Sequence, residues 1–577
     1  MPNFNHRIFK DTNAMKKSII FITILLAIFG GYKYSYSQSW QWAVSCGKGP
    51  LDEFGTVTSD KSGNIYLLGH FGGTGIFGSD TLISIWNGGD NLPVAICKLG
   101  QTGEFQWIKT IKSQPFSTSA DVTLYNATNS NLDGVYSFGE VKGDTYFDTV
   151  HFVSQNNQIF IGKYNNNGTI SWLKELNGNG NEDVVRGCVD DQGNLYFVGG
   201  VTDTAHFDDI IVPPGIFIAK CSASGHCIWV KSIENFSPAL QGLAVKGNNL
   251  ILEAWATSTN PITICGTTLT PVNYEDLVLV AFDTSGNCRW AKMDGKASFF
   301  YLTNPGFDEK NNLYICGTGG DMVFGQDTLK INNSTSMMQL VLVKYDTLGN
   351  VVWAKNSNGD LYVVLKQINV GEDNTIYATG YLSTMSYTNI PETDFGGCTA
   401  TIEPGTFGVH MFVARFDDNG NCVGAKHAPT DYLVPDPSGG LSVTSDSSGN
   451  CIVSGQFQGT TFFDSIPLTS QGLRDIFVAK CGQLHGTGFE ELKKDEQLII
   501  YSNPTEGKCN IIVPDALRNE NKLTLIIFDS SGKIIQNVPV RMTDGKISLN
   551  IEAEAAGMYN VILSNGKKTY TGKIIFE

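Results

Sequence analysis

The sequence predicts an all-β fold, a seven-bladed β-propeller of four-stranded blades followed by a small C-terminal β-sandwich. Three observations predict it. A tryptophan-marked unit of roughly 60 residues recurs along the chain. Gly-rich tight turns separate short apolar runs, and both patterns stop near residue 483. With 63 glycines, 19 prolines and 11% aromatic residues in 577, the composition suits many short strands around a large core.

The unit is read from Trp42, Trp107, Trp172, Trp229, Trp290 and Trp353, with Gly424 at the next equivalent position; the spacings are 65, 65, 57, 61, 63 and 71 residues. Before each marker from Trp107 onward lie an apolar strand, a polar turn and a second strand. Asp283-Thr-Ser-Gly-Asn287 and Asp417-Asp-Asn-Gly-Asn421 are such turns, rich in residues that tolerate left-handed backbone. After each marker comes a second turn and strand, as in Asp60-Lys-Ser-Gly-Asn-Ile-Tyr-Leu-Leu-Gly69. That strand ends on Gly69, Gly139, Gly199, Gly317, Gly380 or Gly455, and in the remaining unit on Ala254. A small residue there marks close approach of another backbone, expected from the neighbouring sheet. Four strands, a to d, are expected per unit; in the first, about 54–59, 64–71, 93–99 and 105–110. A row of separate β-sandwiches would need about seven strands per ~100 residues, more than these units hold.

Both ends of the repeat are incomplete. After Cys481 no tryptophan strand follows, while Trp40-Gln-Trp-Ala-Val44 precedes any complete unit. Pairing residues 40–45 with 476–481 would complete the last blade and protect two open sheet edges.

The N-terminus reads as a secretory signal: Lys16 and Lys17, an apolar run from Ile19 to Phe29, and Ser35-x-Ser37 before Gln38. The run is shorter than the roughly 20 residues a span needs, so a signal anchor is the weaker alternative. Met15 stands where such a signal would begin, which leaves Met1 or Met15 as the start. No transmembrane segment is expected in the mature chain. The expected domains are 1–37, extension and signal peptide; 38–482, propeller; 483–496, a charged linker; and 497–577, the sandwich. Within 497–577, strands are expected near 497–502, 508–513, 522–529, 533–538, 546–551, 557–563 and 569–576. Net charge is −16, without a Lys/Arg cluster, which argues against nucleic acid as a partner.

Two resemblances rest on motifs. Asp475-Ile-Phe-Val-Ala-Lys480, Ile216-Phe-Ile-Ala-Lys220, Met411-Phe-Val-Ala-Arg415, the Gly-Asn-x-Tyr strand and Trp107-Ile-Lys109 resemble the bacterial beta-propeller (SBBP) repeat over roughly 40–482. Ala281 replaces the basic residue in the fourth unit. Tyr501-Ser-Asn-Pro-Thr-Glu-Gly-Lys508, Leu525-Ile-Ile-Phe-Asp-Ser-Ser-Gly-Lys533, Gly557-Met-Tyr-Asn-Val-Ile-Leu563 and Lys573-Ile-Ile-Phe-Glu577 resemble the C-terminal (Por) sorting domain of the type IX secretion system; Ser502 stands where that family usually has proline. The second resemblance implies the type IX machinery as partner, export across the outer membrane, removal of the tail, and release or surface attachment.

Thirteen cysteines leave at least one unpaired. Cys265 and Cys398 lie between strands b and c, 23 and 24 residues before Cys288 and Cys422, which both sit two residues ahead of the marker position. Matching spacing at matching positions predicts disulfides Cys265–Cys288 and Cys398–Cys422. Cys227 has the same pre-marker place but only Cys221 across its hairpin, which predicts Cys221–Cys227.

No catalytic, cofactor-binding or metal residues are assigned. The eight histidines fall in no metal-ligand spacing, His226 beside Cys221 and Cys227 being a weak hint. Asn177-Gly-Asn-Gly-Asn-Glu-Asp183 could be a calcium loop or a plain connection, and bound calcium is undecided by sequence. Asp183 aligns with Asp52 and Asp121, a repeated strand-start position. Neither a nucleophile elbow nor a phosphate loop occurs. The basic position in strand c (Lys98, Lys163, Lys220, Lys344, Arg415, Lys480) is either a ligand-facing ring or a repeated structural ion pair. The function expected is a monomeric secreted or cell-surface binding module, its unknown extracellular ligand a glycan or a protein. The variable b–c segments would line the channel mouth and carry specificity. Alternatives are a polysaccharide- or peptide-degrading enzyme acting at that mouth and an adhesive structural protein.

Overall fold

In the computed structural model, residues 40–484 and 498–576 are described, apart from 48–51, 84–93, 115–122, 126–133, 234–238, 273–275, 295–298, 331–337, 372, 384–391, 403–408, 431–438, 506, 519–522, 529–533, 551–556 and 566–568. The signal sequence, Asp121 and the linker from residue 485 onward lie outside them. Two compact units are present, Met1–Thr487 and Gly488–Glu577.

In the first unit an antiparallel four-strand meander recurs. The first copy runs Asp52–Ser59, Ile65–Phe71, Val94–Leu99 and Phe105–Gln114. The third runs Glu182–Val189, Leu195–Val201, Gly215–Cys221 and Cys227–Ser232. The sixth runs Tyr362–Val370, Ile376–Ser383, Val409–Phe416 and Cys422–Ala428. In the fifth, strand a is split into Phe299–Leu302 and Gly306–Phe307. The last copy has Gly439–Ser445, Cys451–Phe457 and Asp475–Cys481, and takes its fourth strand from the other end of the chain. Trp40–Cys46 pairs antiparallel with it, Ala43 opposite Ala479 and Cys46 opposite Ile476. First and second copies merge into one ten-stranded sheet, because Ile111–Gln114 pairs with Asp144–Phe147. Among the described residues none of these sheets closes into a barrel.

The strand composition explains the packing. Strands b and c are largely apolar and buried on both faces, with burial complete in Leu313–Gly319 and Gln339–Tyr345. Such strands need cover on both sides, and the neighbouring copies supply it. One core joins Tyr314, Leu340 and Leu342 of the fifth copy to Leu365, Ile376 and Phe412 of the sixth. Another joins Val57, Ile65 and Leu67 of the first copy to Ile452, Ile476 and Val478 of the last. Across that contact Val57 N donates to Ser442 Oγ at 2.9 Å and Ser454 Oγ to Gly55 O at 2.5 Å.

The small residue ending strand b has a different cause from the one expected. Strand a carries a β-bulge opposite it, at Val184/Arg186, Leu365/Gln367 and Gly440/Ser442. A Cβ on Gly199, Gly380 or Gly455 would collide with the carbonyl of Asp183, Val364 or Gly439. The close backbone therefore belongs to the same sheet, because a bulge pushes a carbonyl toward its partner strand.

In the second unit Ile499–Tyr501, Lys508–Ile512 and Lys546–Asn550 form one sheet. Ile534–Val540, Leu523–Phe528, Gly557–Ser564 and Thr569–Phe576 form another. Ile511, Ile547, Leu525, Val561 and Ile574, from both sheets, share one core.

Candidate functional site

The repeated residues build the seams between copies. Each marker tryptophan on strand d caps the c–d turn of the next copy. Trp107 Nε1 donates to Asn166 O at 2.8 Å, Trp172 Nε1 to Ala223 O at 2.9 Å and Trp353 Nε1 to Asp418 O at 3.3 Å. The turn glycine beneath has positive φ and no room for a Cβ: at Gly168 it would meet Trp107 at 2.9 Å. Trp42, on the N-terminal strand, treats the first copy alike, donating to Gln101 O at 2.9 Å. Gly424 replaces tryptophan where the following copy has no c–d turn, its chain continuing into Gln483 and Leu484.

The basic position of strand c serves the same seam. Lys98 donates to Asn166 O at 3.1 Å, Lys344 to Asp418 O at 3.1 Å, and Arg415 to Leu484 O at 3.0 Å. Lys163 and Lys220 lie over the rings of Tyr136 and Tyr196, and Lys480 pairs with Asp446 at 2.8 Å. These side chains are tied into turns and rings, as in a repeated structural device. The Asp-x-x-x-Asn-x-Tyr pattern is self-contained: Asp308 accepts from Asn312 N at 2.8 Å, Asn312 Nδ2 at 2.8 Å and Tyr314 OH at 3.3 Å. Burial alone would raise the Asp308 carboxyl. The Asn312 and Lys310 donors and the Lys344 charge outweigh it and hold it below the usual carboxylate range.

The b–c segments are largely hairpins pinned on the outer strand d, contrary to the expectation of free loops at a channel mouth. Their turns read Phe147-Asp148, Phe207-Asp208 and Phe463-Asp464, with φ of 51°, 54° and 54° at the aspartates. Each aspartate binds the lysine two residues beyond the preceding copy's marker: Lys109–Asp148 2.7 Å, Lys174–Asp208 2.7 Å, Lys426–Asp464 2.6 Å. Sequence reasoning missed these bridges; the recurring Phe-Asp two residues before Ile or Val was the available signal. Disulfides fasten two other b–c hairpins, those without the aspartate. Cys265–Cys288 and Cys398–Cys422 join the hairpin turn to its own strand d, with Cα separations of 5.6 and 5.5 Å. Cys221 and Cys227, by contrast, are free thiols, their sulfurs 2.7 Å apart.

The other sequence candidates are drawn into backbone bonding. In the 177–183 loop the Gly178 and Gly180 carbonyls accept from Gln158 Nε2 at 3.3 Å each, and Asn179 O from Asn156 Nδ2 at 2.9 Å. Those oxygens face amide donors. Asp52 is fully buried and accepts from Gly72 N, whereas Asp183 is exposed. His226 Nδ1 lies 3.1 Å from Asp208, on the hairpin that Asp208 also binds through Cys227 N. Two grooves open on the outer strands. One, beside Val44, Gly78 and Phe105, lies where the last copy meets the first. The other, beside Lys355, Phe395 and Gly396, lies between the fifth and sixth copies.

Residues 499–577 match the family model of the secretion system C-terminal sorting domain. Over 443 residues the chain is 23% identical to an uncharacterized WD repeat-containing protein of Acanthamoeba polyphaga mimivirus, covering 63% of this chain and 31% of that one. The chain thus spans about a third of the length of that curated relative. BamB from Moraxella catarrhalis is 10% identical, with a TM-score of 0.26, over 61% of this chain and 95% of that chain. The extracellular domain of a hybrid two-component system from B. thetaiotaomicron is 12% identical, with a TM-score of 0.17, over 94% and 100%. Among the described residues no helix is long and apolar enough to cross a membrane. An all-β repeat chain carrying this sorting tail is a protein destined for the cell exterior, either the medium or the cell surface. More particularly, it is a module of repeated antiparallel four-strand sheets whose tail implicates the type IX secretion machinery in its export.

Proposed function

We propose that residues 38–482 form a seven-bladed propeller closed by the N-terminal strand, and that it works outside the cell as a binding module. The closing pairs between Trp40–Cys46 and Asp475–Cys481, with Trp42 capping the first copy's turn, support the ring. The observation that carries the functional reading is that the repeat's own tryptophans, lysines and aspartates hold the seams together, on a chain with an export tail. The scaffold is thereby separated from the connecting segments, which vary between copies and supply recognition. The expected ligand is a glycan or a protein. Residues 497–577 are the sorting β-sandwich and are removed on export.

A glycan array and a turnover screen on polymeric substrates, both with the secreted protein, test this. Saturable binding without turnover is expected; turnover of a polysaccharide or peptide would replace the module with an enzyme. Mass spectrometry of the exported form should find an N-terminus near Gln38 and the loss of about 80 residues from the other end. Unprocessed chain retained in the cytoplasm would overturn the export route.

A further inference from the structure

The outer groove between the fifth and sixth copies is a seam in which one repeated ion pair has lost its acid. In three sister seams a hairpin aspartate sits on the strand-d lysine: Asp148 on Lys109, Asp208 on Lys174 and Asp464 on Lys426. At the seam of Lys231 the hairpin position is Cys265, taken up in a disulfide. At that of Lys292 it is Gly325, whose N–H lies 3.3 Å from an Asp294 oxygen. At the fifth–sixth seam the lysine is Lys355 and the hairpin residue is Gly396. Among the described residues Lys355 pairs with no carboxylate. Its Nζ donates to the neutral Asn421 Oδ1 at 2.7 Å and lies 5.7 Å from the Trp353 ring centre.

The missing side chain leaves space. A cavity of about 220 Å³ opens there, lined by Lys355, Asn356, Gly396 and the apolar Leu342, Phe395 and Phe416. A Cβ built on Gly396 meets nothing within 4 Å, so the vacancy begins where the sister carboxylates stand. The walls are held in place. Cys398–Cys422 ties the hairpin to its own strand d, and Cys422 N donates to Gly396 O at 3.0 Å. Asp394, the nearest acid along the hairpin, accepts from Gly396 N at 2.9 Å and Gly397 N at 3.0 Å.

We propose that this groove is a binding site for a small carboxylate with a short aliphatic or apolar stem, its acid on Lys355 and its stem on Leu342, Phe395 and Phe416. A cation in a preformed, partly apolar groove binds a carboxylate more tightly than one free in water, because less ordering and desolvation remain to be done. The source is either a free organic acid or the acidic side chain of an extracellular peptide. The groove lies on the outer strands, so its failure would leave the binding-module reading standing.

Titration calorimetry of the secreted protein tests it with three probes: succinate, the blocked peptide acetyl-Gly-Asp-Gly-amide, and succinamide as neutral control. Saturable binding of at least one acid, and none of succinamide, is expected. Succinate alone binding identifies a free acid; the peptide binding identifies a peptide side chain. Gly396→Asp supplies the sister aspartate from within, and Lys355→Met removes the charge but keeps the stem. Each should weaken binding by about tenfold or more. Lys109→Met, at a seam already bridged, should leave it unchanged. Absence of binding by both acids, or binding preserved in both groove variants, overturns the proposal.

Discussion

Glu253 is fully buried on strand b of the fourth copy, and neither carboxyl oxygen has a hydrogen-bond partner among the described residues. Burial pushes its carboxyl well above the usual range, and the Arg186 charge recovers only part of that. The other titratable groups it influences are Cys316 and Tyr345 of the fifth copy, both raised first by burial. The folded state thus holds a proton on Glu253 that the unfolded chain releases near pH 4.3. Its contribution is fully present below that pH and declines as pH rises. Glu253→Gln, a neutral shape mimic, should raise the melting midpoint at pH 7 and flatten the decline between pH 5 and 8. An unchanged slope would mean the carboxyl is ionised and paired. His410 carries the opposite sign. Burial, aided by His427, lowers its pKa to about 4. Its contribution is therefore present above the ordinary histidine pKa and is lost as pH falls through about 4. Sister sheets have Gln158 and Gln339 at this place, each bonding the carbonyls of a d–a connection. His410→Gln should accordingly keep the fold and diminish the loss of stability between pH 6 and 4, measured by thermal melts across that range.

At the scale of elements, the b–c hairpin is the piece that sequence presents as a loop and packing turns into a strut. In three copies its aspartate reaches the preceding copy, and in two others a disulfide fastens the hairpin to its own strand d. Reducing Cys398–Cys422, or replacing both residues with alanine, should cost about 2–4 kcal/mol, read as a lower denaturation midpoint. Cys221→Ala should show a smaller change, since that thiol pair is unbonded. The bulge in strand a makes a second test. Gly380→Ala must displace the Val364 carbonyl and should cost about 1–3 kcal/mol. A neutral result would mean the bulge relaxes without loss.

For the whole first unit the decisive contact is between its ends. Trp40 is buried, packs edge-on against Phe463 at 5.0 Å, and its backbone N–H donates to Asp464 Oδ2 at 2.9 Å. Asp464 also holds Lys426 of the sixth copy, so one carboxylate ties three segments together. Removing residues 38–46 would bare the edge of Asp475–Cys481 and its row of backbone donors and acceptors. The truncated protein should melt at a lower temperature and associate in a concentration-dependent way by light scattering. Equal stability and a monomeric truncate would contradict the proposed closure.

The sequence by itself determined the strands, their turns and the repeat, because short apolar runs and Gly/Asn/Asp turns are local properties. It determined two disulfides too, since equal positions in equal units face the same neighbours. The end-to-end pairing was legible for a related reason: an orphan strand at the start and a three-stranded copy at the end protect both edges only by pairing with each other. The tertiary structure alone decided what the repeated side chains do. Whether Lys98 meets solvent, ligand or Asn166 depends on a turn 68 residues away, and no local pattern encodes that contact. The same holds for the glycine ending strand b, whose collision is with a bulge that leaves no mark in its own segment. It holds for Gly396 as well. As a letter it is an ordinary turn residue; beside Lys355 it is a missing carboxylate, because only packing brings the hairpin of one copy onto the strand d of the copy before it.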